Sequence, residues 1–135
     1  MSVKVFADTN VMLYLLSDDV NKKERAKQVL GGQPVISLQV ANEFTNVCLK
    51  KLKLTPEALL GALKVIVKYA VFVPFGLQTI HRAISLQARY KLQYFDSLIV
   101  ATALENDCDI LYSEDMQHGL VIDNQLKIIN PFSCE

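Results

Sequence analysis

The sequence predicts an α/β fold, a three-layer sandwich around a mainly parallel central sheet of about five strands. Three observations lead there. Short apolar, β-branched runs alternate with longer stretches of helical periodicity, the order that parallel strands joined by crossover helices require. The first run is almost continuously apolar, as suits a strand covered on both faces. The 135 residues show no shift in composition, which fits one domain over residues 1–135, long enough to bury a core.

Val3 to Ala7 is the first of these runs and predicts a strand. From Asn10 to Leu16 the apolar residues cluster as a short buried helix. Asn21 to Leu30 is charged and amphipathic, and Gly31-Gly32 stops it. Pro34 to Ser37 predicts a second strand, followed by a helix from about Leu38 to Leu52. Thr55-Pro56-Glu57 is a good helix start, with Thr as N-cap, Pro in the first helical position and an acid in the first turn. That helix should run to about Tyr69. Val71 to Pro74 predicts a third strand, and Leu77 to Tyr90 and Phe95 to Asn106 two more helices. Asp109 to Tyr112 is a fourth strand, Ser113 to Gly119 a polar loop, and Leu126 to Ile129 a fifth strand closed by Asn130-Pro131. The sequence contains no internal repeat or low-complexity segment.

A hydrophobic fraction of 51% with 21% charged residues belongs to a globular chain. The longest apolar stretches are broken by Asp18, Lys64, Lys68 or Glu105, so none spans a bilayer, and MSVKVFADTN lacks the pattern of a signal peptide. Cys48, Cys108 and Cys134 are few and widely spaced, which reads as reduced thiols, with core packing expected for the first two. A cytoplasmic protein is the expectation. His81 and His118 stand alone, away from any cysteine pair, which argues against zinc. Lys plus Arg (14) balances Asp plus Glu (14), so a function that holds nucleic acid by bulk positive charge is excluded. Any action on nucleic acid has to come from a local site, a bound metal or a modest basic patch.

Four acids suggest such a site. Asp8 directly follows the first strand, where ligands bind in open parallel sheets, although Asp is also a natural N-cap for the next helix. Glu43 shares a helical face with Val40, Phe44 and Val47, a costly position unless it reaches the edge of the stripe or meets a cation. Asn42 and Asn46 beside it read as ordinary solvent-facing residues. Asp96 opens YFDSLIVATAL, a helix apolar nearly all round, and shares its face with Ile99, Val100 and Ala103. A first-turn acid is worth roughly 0.3–1 kcal/mol when exposed, but this one is aimed inward. Ser97 and Thr102 are candidates for supporting hydrogen bonds. Asp115 lies in the SEDMQHG loop, where the sequence alone leaves Glu114 as an equal choice, and Ser113 could position a ligand or water. Acids converging on one pocket repel, and a divalent cation is the usual solution. All-oxygen ligation selects Mg²⁺ or Mn²⁺.

These segments resemble a known family. DTNVMLYLLS, VANEF, YFDSLIVATAL and ILYSEDMQHG followed by LKIINPF are similar to the PIN-domain ribonucleases, and most of all to VapC-type toxins of bacterial toxin–antitoxin pairs. The likeness runs from Val3 to Phe132. It implies a PIN-like sandwich whose acidic quartet falls on Asp8, Glu43, Asp96 and Asp115, with Thr9 and Asn10 completing the D-[ST]-N pattern and Ser113 the hydroxyl before the last acid. It further implies an endoribonuclease dependent on Mg²⁺ or Mn²⁺, a homodimer, and a cognate antitoxin partner whose tail covers the active site.

Two other readings compete. A phospho-aspartate phosphohydrolase also places an Asp after its first strand but needs a second acid two residues on, where this chain has Asn10. A non-catalytic PIN scaffold binding RNA or protein usually lacks one or more acids, whereas all four positions are filled here. Among the basic residues, Lys22, Lys23, Arg25 and Lys27 are expected on a solvated helix face, and Lys50, Lys51 and Lys53 suit a helix C-terminus. Arg82, Arg89 and Lys91 fit either RNA contacts or plain surface. Tyr14, Phe44 and the apolar face of the Thr55–Tyr69 helix fit core packing first, and a dimer or antitoxin surface second.

Overall fold

The computed structural model describes residues 3–133. Strand β1 is Val5–Ala7, β2 Val35–Ser37, β3 Val71–Val73, β4 Ile110–Tyr112, β5 Val121–Ile122 and β6 Leu126–Ile129. Helix α1 is Thr9–Leu13, extended by a 3₁₀ turn over Tyr14–Leu16; α2 is Val20–Gly31, α3 Leu38–Lys50, α4 Pro56–Tyr69, α5 Leu77–Tyr90 and α6 Tyr94–Glu105. The sheet order is β3-β2-β1-β4-β6-β5, with every neighbouring pair parallel except β5 and β6.

Successive side chains of a strand point to opposite faces. Phe6 and Ala7 are both fully buried, as are Val35, Ile36 and Ser37, so helices cover both faces of the sheet centre. Each large side chain buried this way contributes roughly 1.5–3 kcal/mol. Helix α6 is buried without a break from Ser97 to Leu104, as expected of a helix apolar all round. Local signals set the other helices. Thr55 accepts from Ala58 N–H at the start of α4, Ser37 from Val40 N–H at the start of α3, and Asp19 from Lys22 N–H at the start of α2. Helix α2 ends at the Gly31-Gly32 pair.

One strand was not expected. The sheet has six strands, because Val121–Ile122 folds back on Leu126–Ile129 as an antiparallel hairpin. Two residues are too few for periodicity to register. The hairpin is carried by its turn, where Asp123 and Asn124 take φ of 50° and 56°, the left-handed pair favoured in tight hairpins.

The expectation for the α2 cations is corrected in part. Lys22 donates to the Tyr14 hydroxyl and pairs with Glu114 at 2.9 Å, while Arg25 Nε donates to the Pro131 carbonyl at 2.9 Å. Arg25 thereby holds the C-terminal segment, where Phe132 packs edge-on against Tyr14 and its ring centre lies 5.6 Å from Lys22 Nζ. Lys27 is exposed and pairs with Glu24 at 3.3 Å, as a solvated residue can. Phe44, Cys48 and Cys108 are in the core, and burial pushes the Cys108 thiol up to about 11. Cys134 lies outside the described residues. Among the described residues no helix is long and apolar enough to cross a membrane.

Candidate active site

The strand order reverses around β1. The chain runs outward from β1 to β2 and β3, then returns to place β4 on the other side. In open α/β sheets such a switch point opens a crevice beyond the carboxyl ends of the strands. Ala7 is in register with Tyr112, so the residues that follow them, Asp8 and Ser113, emerge side by side. Asp8 N–H donates to the Tyr112 carbonyl (3.0 Å), and Ser113 Oγ donates to Asp8 Oδ2 (3.1 Å). The other oxygen, Oδ1, accepts from Thr9 N–H at 2.6 Å. Asp8 therefore caps α1 and also lines the crevice.

Glu43 reaches the same place from α3. It stands half-buried at the edge of the stripe formed by Val40 and Phe44. Thr9 Oγ1 donates to Glu43 Oε2 (3.1 Å), and Gln39 Nε2 donates to Oε1 (2.9 Å). Gln39 also donates to the Phe95 carbonyl at 3.1 Å, which ties α3 to the first turn of α6, one residue before Asp96. From the β4 loop comes Asp115, whose carboxylate accepts from the Asn10 side-chain amide. Asp8, Glu43, Asp96 and Asp115 thus wall one cleft of about 210 Å³, together with Thr9, Asn10, Asn46 and Val47.

The structure separates Asp115 from its neighbour. Glu114 turns away from the acids, accepting from the Tyr14 hydroxyl (2.6 Å) and from Lys22 (2.9 Å). Burial raises its pKa, but these two partners outweigh that and leave the carboxyl below the ordinary range. In the cleft the direction is opposite. Burial pushes Asp8 up to about 6 against the lowering by Thr9 and Ser113, and the charges of Asp96 and Glu43 add to the rise. Asp96 is also raised, by burial first and then by Asp115 and Glu43. Among the described residues, none of the four acids has an ion pair with Lys, Arg or His.

These observations bear on a bound cation. The cleft donors are carboxylate, amide and hydroxyl oxygens, a set suited to Mg²⁺ or Mn²⁺. Repulsion among unpaired carboxylates is the condition such an ion relieves. Among the described residues, the acids line an open cleft rather than closing into a finished ligand cage.

One expectation is corrected and another extended. Ser97 and Thr102 do not support Asp96. Their hydroxyls donate to the Gln93 and Leu98 carbonyls one turn back, as Ser and Thr inside helices commonly do. Asn46 is exposed, as expected, and in addition lies on the cleft wall, one helical turn beyond Glu43. Gln39 was not singled out from the sequence. Its spacing of four residues before Glu43 was the available signal, because side chains four apart meet on a helix.

Comparison with known proteins agrees with this architecture. Residues 5–119 match the model of the PIN domain family. The fold is similar to that of Mycobacterium tuberculosis VapC20, a sarcin–ricin loop cleaving toxin, with a TM-score of 0.67 at 14% identity, covering 83% of this chain and 90% of that one. It is similar to a chain of a toxin–antitoxin complex from Klebsiella pneumoniae, with a TM-score of 0.71 at 21% identity over 96% and 98% of the two chains. A third likeness is to a chain of VapBC2 from Rickettsia felis, solved with a DNA fragment from its promoter, with a TM-score of 0.65 at 16% identity over 93% and 98%. The comparison with curated proteins gives no match. The family match covers most of the sequence, including all four acids, and the chain belongs to the PIN domain family.

Proposed function

We propose that this chain is a metal-dependent endoribonuclease that hydrolyses RNA phosphodiester bonds, the toxin of a VapBC-type pair. One observation carries the reading: four carboxylates from four separate segments line one cleft at the sheet's switch point, and among the described residues none is paired with a protein cation. Asp8, Glu43, Asp96 and Asp115 would hold one or two Mg²⁺ or Mn²⁺ ions. A divalent ion there supplies Lewis-acid stabilisation of the phosphate and lowers the pKa of an attacking water.

The protein's own groups prepare that chemistry. Thr9 N–H and the Ser113 hydroxyl fix the Asp8 carboxylate from both sides. Thr9 Oγ1 and Gln39 hold both oxygens of Glu43, and Asn10 orients Asp115. Such outer bonds set the direction in which each carboxylate presents its free lone pairs. A neutral protein can then engage a polyanion through the ion rather than through a basic surface. Residues 1–135 act as one catalytic domain in the cytoplasm, as a homodimer restrained by a cognate antitoxin; the toxin–antitoxin complexes of similar fold support that partner.

The test is RNA cleavage by wild type and Asp96→Asn, each with Mg²⁺, Mn²⁺ or EDTA. Wild type should cut only with metal, and Asp96→Asn should lose about a hundredfold or more in kcat/KM while keeping its fold. Wild-type rates in the folded variant would sink the mechanism. Uptake of Mn²⁺ without cleavage of any RNA would favour the binding scaffold.

A further inference from the structure

Next to the acidic cleft lies a second hollow of about 350 Å³, and the two share Asn10 and Val47 as a common wall. Leu13, Leu16 and Leu52 give it an apolar floor, and its polar lining is Asn10, Tyr14, Ser17 and Glu114. The consecutive residues Glu114 and Asp115 therefore place their carboxylates in adjoining hollows.

Hydrogen bonds set the polarity of Tyr14 and Glu114. Tyr14 has one O–H, and it is committed to Glu114 Oε1 at 2.6 Å. The same hydroxyl accepts from Lys22 Nζ at 3.0 Å, and Lys22 also donates to Glu114 Oε2 at 2.9 Å. A carboxylate offers about four lone-pair sites, so two such bonds leave acceptor capacity in place. Neither Tyr14 nor Glu114 has a donor left; of the other polar groups, the Asn10 amide donates to Asp115 and the Ser17 hydroxyl oxygen accepts from Asp19 N–H.

We propose that this hollow is a nucleobase subsite, which takes the base next to the scissile phosphate and prefers one bearing an exocyclic amine, cytosine over uracil. The proposal rests on the nuclease reading above and adds a substrate preference to it. Single-stranded RNA can splay a base out, and the leucine floor suits the base's apolar face. The cytosine N4 amine donates to a carboxylate, whereas uracil presents the O4 carbonyl at that position, acceptor against acceptor. Sequence selection is thereby assigned to Glu114, outside the acidic quartet, and cutting to its neighbour's cleft.

The experiment uses the full chain with Mn²⁺ and a random-sequence single-stranded RNA pool, with the cut ends sequenced. At one of the two positions flanking the cut, cytosine should exceed uracil by about tenfold or more. Glu114→Gln should reduce that ratio to about twofold or less, because a carboxamide can donate to uracil O4 as well as accept from cytosine. Leu52 is exposed, so Leu52→Trp fills the hollow without disturbing the core. It should raise KM for the best pool sequence and lower the cytosine preference, with Mn²⁺ affinity kept. If Glu114→Gln does not fold, the Leu52→Trp arm decides. Equal use of cytosine and uracil by wild type, or an unchanged ratio in the folded variants, overturns the subsite and leaves the nuclease reading standing. A wild type that cuts no RNA removes both.

Discussion

Asp8 and Asp123 both follow a strand of the same sheet, yet their surroundings are opposite. Asp8 is 6% exposed, and the charges near it belong to Glu43, Asp96 and Asp115. Asp123, in the β5–β6 turn, meets Arg89 at 2.7 Å, Arg82 at 4.0 Å and the Tyr90 hydroxyl at 3.1 Å. Burial drives the Asp8 carboxyl up to about 6, whereas Arg89 first, and Tyr90 and Arg82 with it, hold Asp123 below the ordinary range. One carboxylate is satisfied by the protein and serves the fold. The other is hydrogen-bonded to Thr9 and Ser113 but, among the described residues, has no ion pair with a protein cation.

That contrast is open to direct attack. The largest effect is expected from Asp8→Asn, which should lose about a hundredfold or more in kcat/KM on RNA. The same substitution should stabilise the metal-free protein. A carboxyl raised from 3.8 to about 6 contributes stability that is present below the unfolded value and lost as pH rises through the folded one. The metal-free wild type should therefore weaken between about pH 4 and 6, and Asp8→Asn should flatten that loss, gaining up to about 3 kcal/mol at pH 7. Thermal melts in EDTA across this range check it. A lower melting temperature for the variant at pH 7 would break the comparison.

Gln39→Leu comes next. It removes the donor to Glu43 and to the Phe95 carbonyl, so Mn²⁺ should bind about tenfold more weakly. Metal titration by calorimetry, beside a melt, separates this from a plain loss of stability. The smallest effect belongs to the satisfied carboxylate. Asp123→Asn keeps a residue that tolerates positive φ and removes only surface pairs, and should cost about 0.5–1 kcal/mol at pH 7. Because the Asp123 pKa is lowered, its contribution is present above the unfolded value and is lost as pH falls through the folded one, in the opposite sense to Asp8. Equal shifts for both aspartates in chemical melts would erase the distinction.

Much of this was legible in the sequence, for identifiable reasons. The strands at Val5 and Val35 and the helix from Leu77 to Tyr90 follow from apolar period and caps, which are local properties. Glu43 and Asp96 could be suspected because a charge on an apolar helical face needs compensation, and both stand at the cleft. The position of Asp115 was less legible, since two adjacent loop acids differ only in which way the chain turns, and that depends on Lys22 and Tyr14 far away in sequence. Gln39 escaped for the same reason, because its second partner, the Phe95 carbonyl, is 56 residues along the chain. The β5–β6 hairpin escaped because its strand is two residues long and its signal lies in the turn.

Helix α6 has one further consequence. It carries Asp96 in its first turn and is buried from Ser97 to Leu104, whereas β3 at the sheet's edge exposes half of Val71 and a third of Phe72. Local opening begins where few contacts hold the backbone, and amide protons of the most enclosed element exchange last, close to the rate of global unfolding. The protein would therefore exchange from the β3 edge inward and reach α6 late. Asp96 stands at the start of that slow-exchanging segment, so the wall of the cleft that it forms should outlast openings at the sheet's edge.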